Sequence, residues 1–104
     1  MTLQINTSPS NQAMLALTES LTDLKAYPNP ATDYVTFDYK LPEYVEKATV
    51  IITSITGQVV EKFDIIDTEG QVLWDTRIVE NGIYFYALKQ GTTTLASGKV
   101  SIMK

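Results

Sequence analysis

Asn81-Gly82-Ile83-Tyr84-Phe85-Tyr86 and, after a break at Gln90-Gly91-Thr92, Ser97-Gly98-Lys99-Val100-Ser101-Ile102-Met103-Lys104 are the stretches that decide the fold. Both open near a glycine and continue as β-branched and aromatic residues, the composition of strands bounded by turns. Two such runs close the sequence, and from them we expect a small all-β module placed last in a larger protein. Working backwards, Asp67-Thr68-Glu69-Gly70 predicts a turn leading to Val72-Leu73-Trp74. Ala48 to Ile55 is largely β-branched and meets Val59-Val60-Glu61-Lys62-Phe63 across Thr56-Gly57-Gln58, a hairpin with Gly57 at its tight turn. Val35, Phe37 and Tyr39 alternate with Tyr34, Thr36 and Asp38, a half-buried strand that Leu41-Pro42 ends. Tyr27-Pro28-Asn29-Pro30 forces a corner, because each proline fixes φ and removes a donor.

About seven short strands with turn signals between them predict an antiparallel β-sandwich of immunoglobulin-like type. The candidate core is Phe37, Val50, Ile52, Phe63, Trp74, Phe85 and Val100. Residues 1–23 are rich in Thr, Ser, Asn and Gln and read as a flexible linker; residues 24–104 read as the domain. The alternative for the first segment is a short docked helix, with Met14, Leu17, Leu21 and Leu24 at helical spacing behind Ser10-Asn11.

Composition removes most chemistry. The chain has 104 residues, 44 % of them hydrophobic and 19 % charged, enough for one core. It has no cysteine and no histidine. That excludes a thiolate nucleophile, a Ser-His-Asp triad and imidazole ligation. The net charge is −4 and the eight basic residues are scattered, so no basic stripe points to nucleic acid. The apolar runs fall far short of a membrane span, and we expect no membrane insertion. No export signal opens the sequence, so any such signal lies upstream of it.

Other constellations favour bland readings. Asp64, Asp67 and Glu69 lack the alternate spacing and closing Glu of a calcium loop and read as a solvated turn. Asp33, Asp38, Asp75 and Glu80 supply carboxylates, but a domain this small seldom offers the cleft that glycoside hydrolysis needs. Tyr84 and Tyr86 share a strand face, and Tyr34 and Tyr39 lie on opposite faces of another. An inward Phe85 flanked by amphipathic tyrosines is favoured over a carbohydrate platform. Asn6-Thr7-Ser8 fits a glycosylation acceptor. We expect no enzyme, no cofactor and no metal site.

Three segments carry a resemblance: Tyr27-Pro28-Asn29-Pro30-Ala31 with Asp33-Tyr34-Val35; Ala48-Thr49-Val50-Ile51-Ile52 through Gly57-Gln58-Val59-Val60; and Asn81-Gly82-Ile83-Tyr84 with Ser97-Gly98-Lys99-Val100 running to Lys104. In order and spacing the chain, from about Leu24 to Lys104, resembles the type IX secretion system C-terminal sorting domains of Bacteroidetes. Thr53-Ser54 departs from the pattern, since the family often has an aromatic followed by Asp or Asn there. The resemblance implies a non-enzymatic address tag joined in cis to an upstream cargo. It implies export through the periplasm of a Gram-negative bacterium to the cell surface or medium. The implied partners are the translocon, an outer-membrane shuttle protein and a sortase-like cysteine peptidase that cuts in the linker, the cargo being released or joined to lipopolysaccharide. We expect the closing strand to lie at a sheet edge and to be read by strand addition, with Gly98, Lys99, Val100, Ser101, Ile102, Met103 and Lys104 as the recognition segment. Gly82 and the Pro28–Pro30 corner would hold that platform. A surface adhesion or carbohydrate-binding module of the same fold is the alternative.

Overall fold

The computed structural model describes residues 22–104, which hold seven strands and no helix. The strands are β1 (Asp23–Tyr27), β2 (Tyr34–Lys40), β3 (Ala48–Thr53), β4 (Val59–Ile65), β5 (Glu69–Asp75), β6 (Gly82–Gln90) and β7 (Thr93–Ile102). All pairings are antiparallel, and they form two sheets ordered β1-β2-β5 and β4-β3-β6-β7. The all-β expectation therefore holds. β1 begins at Asp23, one residue inside the segment read as linker. Residues 1–21, with the cleavage region, Asn6-Thr7-Ser8 and all of the helical alternative but Leu24, which lies in β1, are outside the described residues.

The alternation seen in the sequence becomes the inner face of each sheet. On β2, Val35, Phe37 and Tyr39 are buried while Tyr34 stays exposed; on β3, Val50 and Ile52 are fully buried. Each such side chain contributes about 1.5–3 kcal/mol by leaving water. Two edge-to-face ring pairs join the sheets across the core: Phe37 with Tyr86 at 5.1 Å between centroids, and Trp74 with Tyr84 at 5.5 Å. Leu41 and Val45, from the crossover between β2 and β3, seal one end, and Ile65, Leu88 and Ile102 complete the interior.

One core assignment is corrected. Phe85 does not point inward; it is 45 % exposed, whereas Tyr84 is only 9 % exposed. Register decides this. Tyr84 pairs with buried Val100, and Leu88, of the same parity, is also buried, so the even-numbered side chains of β6 face the core. The Tyr84 hydroxyl donates to the Glu80 carbonyl at 2.7 Å, so its polar tip is satisfied at the edge of the apolar interior. Phe63 is half-buried at the core's margin. The turn expected at Asp67 to Gly70 is shorter than read, since Glu69 and Gly70 already belong to β5.

Candidate docking surface

Among the described residues β7 is an edge strand, paired through the ladder only with β6. Its side chains divide by parity. Val100 and Ile102 are fully buried, while Lys99, Met103 and Lys104 are exposed. Of the segment expected to carry recognition, these two are parts of the core. Ser101 is half-buried beside the exposed Lys99, Met103 and Lys104.

The main chain of β7 is covered along its C-terminal half by the proline corner. The Asn29 side-chain amide donates to the Lys99 carbonyl at 3.3 Å and accepts from the Ser101 N–H at 3.1 Å. Ala31 then continues as a parallel bridge: its N–H donates to the Ser101 carbonyl and its carbonyl accepts from the Met103 N–H, each at 2.8 Å. Ala31 is fully buried. Pro28 and Pro30 flank Asn29, both preceding peptide bonds are cis, and Tyr27 ends β1 immediately before them. The corner is thus a short edge cover built from residues remote in sequence.

A second set of bonds holds the last residue. The Lys104 ammonium donates to the carbonyls of Arg77, at 2.8 Å, and Val79, and the Lys104 N–H donates to the Asn81 side chain at 3.1 Å. Asp33 anchors the corner from its other side through its carbonyl, which accepts from the Thr76 N–H at 2.9 Å; the fully buried Thr76 hydroxyl donates to Thr32. Gly82 opens β6 at φ +154°, a conformation other residues rarely adopt. It faces Ile102 in the ladder and starts the strand at the required angle.

Gly98 serves a close approach. A Cβ there would lie 2.4 Å from the Tyr86 hydroxyl and 2.6 Å from its Cζ, so the ring lies directly across the strand. Desolvation at that position pushes the Tyr86 hydroxyl pKa upward. At the end of β5, Arg77 hydrogen-bonds the Asp75 carboxylate at 2.7 Å and, with a smaller contribution from Lys104, lowers its pKa to about 2.

The structure brings Asn29, Ala31, Asn81, Gly82 and residues 99–104 together. Gly57 stays apart, at the tip of the β3–β4 hairpin beyond the opposite side of the sheet. There Ser54, at the place of the family's departure, accepts from the Gln58 N–H through its hydroxyl and meets the Thr56 hydroxyl at 2.8 Å. It does a polar turn residue's work without a carboxylate. Sequence reading missed Asn29's side-chain role and the Ala31 bridge. The available signal was the polar residue isolated between two prolines.

A family model described as a secretion system C-terminal sorting domain matches residues 25–103. The chain belongs to that family. A search of curated proteins returned no match. Membership assigns the sorting domain to type IX secretion, and with it export to the outer membrane, the cell surface or the medium. The matched span begins within β1 and ends just beyond β7, so it takes in both sheets, the corner and nearly all of the closing segment.

Proposed function

We propose that this sorting domain is a non-enzymatic address that carries an upstream cargo through the outer-membrane translocon. An outer-membrane shuttle protein engages it, and a sortase-like cysteine peptidase cuts within residues 1–23, leaving cargo released or joined to lipopolysaccharide. The observation that supports this reading is the placement of β7: a strand at a sheet edge, with part of its main chain unclaimed by any neighbouring strand among the described residues. Strand addition is the interaction such an edge offers. The recognition segment is residues 98–104, read through Lys99, Ser101, Met103, Lys104 and the backbone, with Asn29 and Gly82 holding it in place. The carbohydrate-binding alternative loses support, because Tyr84 and Tyr86 turn toward the interior.

The test fuses residues 1–104 to a periplasmic reporter in a bacterium with this secretion system. Mass spectrometry of surface and medium then reads delivery and the cut end together. Delivery with loss of the domain is expected; a reporter that stays in the periplasm with its domain folded and attached overturns the proposal.

A further inference from the structure

The N-terminal half of the β7 edge differs from the half covered by the corner. Both main-chain groups of Ser101 leave the sheet toward Asn29 and Ala31. Antiparallel alternation therefore sends those of Lys99 and Ser97 to the same side, where β1 of the other sheet approaches β7 without pairing with it. The Lys99 carbonyl is taken by Asn29; the Lys99 N–H and both groups of Ser97 have no partner strand among the described residues. Beside them, on the outer face of the four-stranded sheet, runs a groove of about 590 Å³ lined by Ile51, Phe85, Ala87, Lys89, Ser97 and Lys99. Phe85, displaced from the core by Tyr84, sits in its wall. Lys62, Lys89 and Lys99 stand on this face, and none has an ion-pair partner among the described residues. Asp64 is its one acid at an outward register position, on β4 beside Thr49. A chain of net charge −4 thus turns a cationic face with an exposed aromatic outward here.

We propose that this half-edge and groove receive an extended acidic strand from a partner protein. The inference rests on the sorting reading and adds the partner's chemistry. Main-chain pairing at Ser97 and Lys99 sets the strand about 4.8 Å from β7. Its alternate side chains then continue the rows Phe85–Lys99 and Ala87–Ser97. A carboxylate belongs beside Lys99, and an apolar side chain reaches over Ser97 toward Phe85. Other edges fit an acidic strand less well: β4 mixes Glu61, Lys62 and Asp64 and carries a bulge opposite Ile52/Thr53, and β5 begins at Glu69 and ends at Asp75. The chain's own leading segment does not supply the charge, since residues 1–21 contain a single acid, Glu19.

The test titrates ¹⁵N-labelled residues 1–104 with two eight-residue synthetic peptides, a Glu/Val peptide repeating Glu-Thr-Val-Thr, which puts Glu and Val on one face, and a Lys/Val peptide with Lys in place of each Glu. The Glu/Val peptide is expected to shift the amides of Phe85, Ala87, Ser97 and Lys99, and to lose affinity in high salt. The double variant Lys89→Glu/Lys99→Glu should weaken it about tenfold, as two reversed charge pairs imply. Phe85→Ala, an exposed position, gives a second reading should the charge reversals disturb folding. Equal binding of the Lys/Val peptide, no binding of either, or shifts confined to β1, β4 or β5 would overturn the inference. So would concentration-dependent shifts without peptide, which assign the groove to a second copy. Reporter export separates the two ideas: an unexported wild-type fusion sinks the sorting reading and leaves the titration standing. An exported wild type matched by an equally exported double variant sinks the acidic-strand inference and Lys99's part in recognition, and leaves the sorting role itself standing.

Discussion

Gly98 and Tyr86 act as one unit at the scale of single residues. Gly98→Ala should destabilise the domain by about 1–3 kcal/mol in urea unfolding, because the added methyl collides with a ring held between strands. In a Tyr86→Ala background the same change should cost much less, and simple additivity of the two would refute the contact as its cause. Tyr39 lies over Gly70 in the other sheet in the same manner, with 2.9 Å from its hydroxyl to an added Cβ. The Asp75 carboxylate gives a pH signature. Its folded pKa, about 2, lies below the ordinary value near 4, so the stability it supplies is present above pH 4 and fades as pH falls toward 2. Asp75→Asn should therefore flatten the acid limb of melting temperature against pH across that window; because the pair is exposed, the change will be small. Residue identity also explains the one error in the core. Lys89 shares the parity of Phe85 and must reach water, a signal in the sequence that outranked the hydrophobicity of a phenylalanine between two tyrosines.

Between elements, the stability of β7 depends on contacts that no local pattern displays. The corner was legible as a corner, since two prolines flanking one residue leave little choice. Its grip on β7 was not legible, because Asn29 reaches partners 70 and 72 positions away in the chain. Strand positions, by contrast, were read nearly in full, because alternation is local and the buried face enforces it. Asn29→Ala should cost about 1 kcal/mol and make the Ser101 amide exchange faster with solvent, leaving the β3–β4 hairpin unchanged. Lys104→Ala should loosen residues 77–81 in the same measurement, because two carbonyls there lose their donor. Protection at those amides equal to wild type would show that the ammonium is not what holds the loop.

For the molecule as a whole, the core and the proposed address share residues. Ile102→Ala should cost about 2–5 kcal/mol, a large share of what holds a domain of this size. Removal of Val100 to Lys104 should abolish the cooperative thermal transition. Such a truncation tests folding before it tests sorting; a retained transition would show that the two sheets hold without the end of β7. Lys99→Glu and Met103→Ala, both exposed, are the substitutions that separate the two effects, with export lost and melting temperature nearly unchanged.

The staple between Asn29 and β7 also bears on timing. Contacts that span most of a chain's length carry the greatest loop-closure cost and tend to form late. The closing edge takes its finished shape only when the first corner, both sheets and the loop under Lys104 have come together. A receptor that grips this edge would pass over immature copies without any separate inspection step, and maturation of the domain would itself set the moment of departure.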